Sequence, residues 1–178
     1  MSYDLHLYLK SAPTLTPDRF SAVCKQFGLE VECIPDFTLE GTLTMLSAKV
    51  SGLLADDPRS YLVAVEFSAI VTDEPVTVAL TAPRKKWWQL KKPRGEEVVF
   101  PAGSSNLFFS CGIDTLEIPF ALLIAYATAD TNGVLDDPQS GDCLVGQEAI
   151  AAQLSRLLEE IRSTPEDRLY LHEFDQWI

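Results

Sequence analysis

Tyr61-Leu62-Val63-Ala64-Val65-Glu66-Phe67-Ser68-Ala69-Ile70-Val71 alternates along its whole length. Successive side chains of an extended chain point to opposite sides, so Tyr61, Val63, Val65, Phe67, Ala69 and Val71 fall on one face. The other face mixes Leu62, Ala64 and Ile70 with Glu66 and Ser68. Both faces are therefore partly covered, and the segment reads as a central strand. Thr72-Asp73-Glu74-Pro75 has turn chemistry, and Val76 to Thr81 is expected to return as the hairpin partner of this strand. Upstream, Thr42 to Val50 alternates more loosely and is expected to be another strand.

The pattern extends to both ends of the chain. Tyr3, Leu5, Leu7 and Leu9 alternate with Asp4, His6 and Tyr8, which predicts a half-buried strand. Thr16-Pro17-Asp18 supplies an N-cap, a proline at the first helical position and an acid in the first turn. Phe20, Val23, Cys24 and Phe27 then follow at helical spacing up to a stop at Gly28. With Leu29 to Ile34 as a strand, the chain is expected to begin β-α-β. Toward the other end, Asp114-Thr115-Leu116-Glu117 fits a capping box, with Pro119 pulling the helix start toward itself. From there to about Asp130 the residues are apolar nearly all round, as in a buried helix. Val134 to Val145 reads as two short extended pieces around Asp137-Pro138-Gln139-Ser140-Gly141. Gln147 to Ile161 carries a single stripe of Ile150, Leu154, Leu157, Leu158 and Ile161, and Leu169 to Ile178 is expected to be a short strand or docked tail. Residues 1–178 thus predict one α+β domain, a largely antiparallel sheet with helices packed on it.

Composition narrows the function. Of 178 residues, 14 are basic and 26 acidic, giving −12, so a global attraction to nucleic acid or anionic lipid is excluded. The longest apolar stretch, Ile118 to Ala129, is too short to cross a bilayer, and no secretory leader is visible, so a cytoplasmic chain is expected. Cys24, Cys33, Cys111 and Cys143 are scattered without a C-x-x-C pair, which predicts free thiols and no structural zinc. Asp130, Asn132, Asp136, Asp137 and Asp142 crowd together, yet no EF-hand frame fits them, since Val134 or Pro138 occupies a ligand position. Neither a metal nor a cofactor is expected.

Catalytic signals are sparse. His6 lies mid-strand on the polar face, where a hydrogen-bonded surface or semi-buried residue is expected. His172-Glu173 lacks the second histidine of H-E-x-x-H because Gln176 stands there. Gly103-Ser104-Ser105-Asn106 reads as a turn. An enzyme would have to use carboxylates such as Glu66, Asp136 and Asp137. The segment Arg84 to Arg94 contains Trp87 and Trp88 and holds six of the basic residues, leaving 8 basic against 26 acidic elsewhere. Cations interleaved with aromatics can grip single-stranded nucleic acid. The reading preferred here is that the tryptophans anchor the segment while the lysines lie over apolar surface or pair with acids.

Two stretches resemble a known group. Tyr3-Asp4-Leu5-His6-Leu7-Tyr8-Leu9 resembles the first strand of many immunity proteins, the small inhibitors of bacterial polymorphic toxins and of contact-dependent or type VI secretion effectors. Asn132-Gly133-Val134-Leu135-Asp136-Asp137-Pro138-Gln139-Ser140-Gly141 is similar to their G-G-V-x-x-D-P-Q-x-G hairpin, with Asn132 in place of the first glycine. The resemblance implies an inhibitor with no catalytic residues, whose partner is a cognate toxin bound by occlusion. From Asp114 onward there are 13 acids against 3 bases. Asp136, Asp137 and Asp142 are accordingly expected to face the toxin, with Trp87 and Trp88 as aromatic anchors. Neither a membrane nor a nucleic acid is an expected partner, and self-association is left open by these residues.

Overall fold

The computed structural model describes residues 3–34, 45–54, 57–80 and 96–175. The alternating 61–71 segment forms β4 (Ser60–Val71), and it is central, as its two-sided pattern predicts. On one side it pairs with β3 (Met45–Ser51), which in turn pairs with β2 (Glu30–Ile34). On the other side, its second half pairs with β7 (Ser105–Cys111) and its start pairs with β10 (His172–Glu173). Beyond β7 come β1 (Tyr3–Leu9), β8 (Val134–Asp137) and β9 (Asp142–Val145). The order β2-β3-β4-β7-β1-β8-β9, with β10 beside β4, is antiparallel at every pairing. The fold is α+β.

One expected pairing is wrong. β5 (Val76–Leu80) does not return along β4. It pairs with β6 (Glu96–Phe100) in a separate two-stranded sheet. The second half of β4, beside which such a partner would lie, pairs with β7, and the turn after β4 is tied to the start of that strand through Thr72 N–H on the Ser104 carbonyl at 2.8 Å. The tight turn expected at 103–106 is also shifted. It ends at Ser104, and Ser105 and Asn106 already belong to β7.

Three helices cover one face of the large sheet. In α1 (Pro17–Gln26), Thr16 Oγ1 accepts from Arg19 N–H at 3.3 Å, the cap its sequence promises, and Phe20, Val23 and Cys24 are buried. Gly28 follows with φ +73°, a left-handed value that glycine adopts without the penalty of a Cβ. α1 links β1 to β2, which run parallel with three antiparallel strands between them. In α2 (Glu117–Thr128), eight residues are buried, so no face is polar. Its expected capping box does not form. Asp114 Oδ1 accepts from Leu116 N–H at 2.7 Å, whereas the Glu117 carboxylate accepts from Gly112 N–H. Pro119 lies in the first turn, where no intrahelical donor is lost. In α3 (Gly146–Ser163), Ile150, Leu154, Leu158 and Ile161 form the buried stripe, and Leu157 is only half-buried beside it. Gly146, at φ +79°, permits the sharp turn from β9 into α3, because a Cβ there would meet the Thr131 carbonyl oxygen at 3.0 Å.

The core lies between these helices and the inward row of the strands: Leu5, Leu7 and Leu9 of β1, Val63, Val65 and Phe67 of β4, and Leu107 and Phe109 of β7. Ala69 is half-buried, and Val71 is 61% exposed because β4 outruns the helical layer. The C-terminal segment is pinned at several points. Thr115 and Tyr170 exchange hydrogen bonds, and Phe174 N–H donates to the Ser60 carbonyl. Arg59 bridges Asp57 and Glu166 at 2.9 and 2.7 Å. With Tyr61 also donating to it, Asp57 is held well below the usual carboxylate range, chiefly by the Arg59 hydrogen bonds.

Candidate functional site: an acid-mouthed cleft between sheet and helices

β8 and β9 form the hairpin that the sequence places around Asp137 to Gly141, and its turn is built from its own side chains. Asp137 Oδ1 accepts from Gln139 N–H at 3.1 Å and from Ser140 N–H at 3.0 Å. Gln139 Oε1 accepts from the backbone N–H of Asp4, tying the turn to β1. The Tyr3 hydroxyl donates to Asp137 Oδ2. The D-P-Q-S-G run therefore has a local structural purpose, since it folds the turn and docks it on the first strand.

Because side chains alternate, the three singled-out carboxylates divide between the two faces. Asp137 and Asp142 are direct cross-strand partners and face the helices, whereas Asp136 faces the opposite side. There, Asp136 Oδ1 accepts from Cys143 Sγ at 3.1 Å and its neighbour on β1 is His6. Glu66 also lies on that outer side, but β7 and β1 separate β4 from β8. At about 4.8 Å per strand, Glu66 and Asp136 are more than about 14 Å apart. Glu66, Asp136 and Asp137 thus do not come together. Trp87, Trp88 and the whole 84–94 segment lie outside the described residues.

On the helix side, a cavity of about 450 Å³ opens between the β1-β8-β9 end of the sheet and helices α2 and α3. Leu5, Leu122, Leu135, Leu144 and Leu157 line it with apolar surface, while Tyr3, Asp137, Asp142 and Gln153 supply its polar groups. Its size lies within the roughly 300–1,000 Å³ typical of ligand sites. Burial and the Asp137 carboxylate push the Tyr3 hydroxyl up to about 12, so at neutral pH it remains a donor. Asp142 is exposed, and its carboxylate has no hydrogen-bond or ion-pair partner among the described residues. The described ion pairs all lie elsewhere, at Asp57–Arg59–Glu166 and Asp114–His172. Like charges directly opposite each other on a hairpin are unfavourable. Here they stand at the mouth of an apolar cleft with no cation paired to them among the described residues.

The outer face carries a second polar group of residues. Asp4 Oδ1, His6 Nδ1 and Asn106 Oδ1 are buried without hydrogen-bond partners among the described residues. All three lie on the adjacent strands β1 and β7. The expectation of a hydrogen-bonded His6 therefore fails at Nδ1. Its ring packs on Phe108 instead, at 5.0 Å between centroids. Farther along this face the β5–β6 hairpin covers Tyr8 and Val134 with Val78 and Phe100. Burial, followed by the Asp136 charge, pushes the Tyr8 hydroxyl upward.

The cysteines are all free thiols. Burial pushes Cys24, Cys33 and Cys111 up to about 12, far from the thiolate that nucleophilic or metal chemistry requires. Among the described residues, no group of three or more His, Cys, Asp or Glu side chains could hold a metal ion, and no helix is long and apolar enough to cross a membrane. Sequence reasoning missed Tyr3 and Gln153 as parts of the cleft. Leu157 was the available signal, because it widens the α3 stripe beyond what the core uses. Comparisons with family models, with curated proteins and with solved structures found no match to this chain.

Proposed function

We propose that this chain is an immunity protein, which neutralises a cognate secreted toxin by stoichiometric binding and occlusion. The reading is carried by one observation. Asp137 and Asp142 oppose each other at the mouth of an apolar cleft, and no described cation offsets them. A rigid acidic surface with an apolar recess suits a cationic protein partner, and toxins acting on nucleic acids or nucleotides commonly carry basic clefts. The net charge of −12 would speed the approach of such a partner. The N-terminal strand and the hairpin that resemble immunity proteins pair with each other and together build this cleft. The test is cell survival: the neighbouring gene should encode a toxin domain, and cells producing that domain should live when this chain is co-produced. Undiminished killing contradicts the proposal.

A further inference from the structure

We infer that the cleft takes an arginine side chain of the partner together with an adjoining large apolar residue. This rests on the toxin-binding reading and specifies its chemistry. The recess combines two carboxylates at its mouth with leucine side chains from β1, β8, β9, α2 and α3 below them. An apolar ligand alone would leave the Asp137–Asp142 repulsion unrelieved. A free inorganic cation would leave the half-buried Leu144 and Leu157 exposed to water. A guanidinium answers the carboxylate pair through its planar set of five donors, and it is more weakly hydrated than an ammonium, so it enters a half-buried site at lower cost. Asp137 still has acceptor capacity, because its described bonds are two at Oδ1 and one at Oδ2. Asp142 is exposed and its carboxylate has no partner among the described residues. An apolar residue next to the arginine would then lie on Leu135, Leu144 and Leu157. Arginine and aromatic anchors seated in a recess are the usual carriers of interface energy.

The probe is the capped dipeptide Ac-Phe-Arg-NH2, titrated into the full chain at low salt and followed by methyl and amide chemical shifts. Saturable shifts are expected at Leu135, Leu144 and Leu157. Replacing arginine with citrulline keeps the shape and removes the charge, and should weaken binding about five- to tenfold, as expected for losing a charge-assisted pair. Asp142→Asn, at an exposed position, should weaken the arginine peptide to a similar degree and the citrulline peptide distinctly less. Leu157→Trp, which fills the recess, should abolish the shifts. Equal affinity for the two peptides, or shifts confined to other surfaces, overturns the inference. If this titration fails while co-production still rescues cells from the toxin, the arginine assignment falls and the immunity reading stands. If the peptide binds as described but rescue fails, the cleft's chemistry is supported and the toxin reading falls.

Discussion

The two faces of the large sheet are made by alternate residues of the same strands, yet they are finished differently. On the helix side, Leu5, Leu7, Leu107, Phe109, Val65 and Phe67 are essentially without solvent exposure, inside one continuous core. On the other side, Asp4, His6 and Asn106 place buried polar atoms without partners, and the second apolar cluster has only Val78, Phe100 and Val134 at its centre. Buried polar groups are nearly always satisfied in folded proteins, and each exception costs about 1–3 kcal/mol. The inner face therefore holds the fold together, and the outer face is tolerated by it. The β8–β9 hairpin belongs to both, presenting Asp136 outward and the Asp137–Asp142 pair inward at the cleft.

The largest effect should come from the inner face. Phe109→Ala should destabilise the protein by about 3–5 kcal/mol in urea denaturation, the usual range for an aromatic removed from a closed core. A loss below about 1 kcal/mol would mean that the helix-covered face is not the main core. The outer face should respond with the opposite sign. Asn106→Leu removes an unpartnered acceptor and adds apolar surface beside Tyr8 and Ile70, so stability should rise by about 1 kcal/mol. A loss of that size would reveal a partner for Asn106 and erase the contrast.

A third difference should appear at high pH. The Tyr3 hydroxyl is raised to about 12 in the fold, through burial and Asp137, against about 10 in the unfolded chain. Its contribution is fully present below pH 10 and is lost as pH rises from 10 through 12, where the unfolded state gives up the proton first. Tyr3→Phe should flatten that alkaline limb of the denaturation profile and remove one late step from the tyrosine absorbance titration. Loss of a step near pH 10 instead would place Tyr3 outside the influence of Asp137. The smallest effect should be that of Asp142→Asn. Removing one of two opposed carboxylates should raise stability by a few tenths of a kcal/mol, measured by thermal denaturation, while weakening partner binding. Such opposite signs in one variant distinguish a binding feature from a structural one.

The sequence made the locally determined parts of this molecule legible. Thr16-Pro17 marks the start of α1 by chemistry internal to four residues, and the alternation of β4 and the stripe of α3 need no knowledge of neighbours. Strand pairing was less legible, because partner choice is settled by competition. Val76 to Leu80 has an acceptable strand pattern and a turn before it, but the second half of β4 pairs with the distant β7, and β5 pairs with β6. β7 itself is masked in the sequence by serines at Ser105 and Ser110 and by the turn-like residues before it. At the candidate site, the hairpin and its carboxylates could be read from Asp136 to Asp142. Their division between opposite faces follows from alternation once the strand register is known. The cleft could not be read at all. Its leucines come from five elements, and Leu5, Leu122 and Leu135 look like ordinary core residues until their neighbours are in place.

The central claim is that this chain acts by binding and transforms nothing. The direct measurement is a titration of the purified toxin domain's activity with increasing amounts of this protein. The account predicts a linear fall to zero at one equivalent, with no further loss on longer incubation. Complete loss at a small fraction of an equivalent, deepening with time, would reveal turnover and contradict it, as would activity undiminished beyond one equivalent.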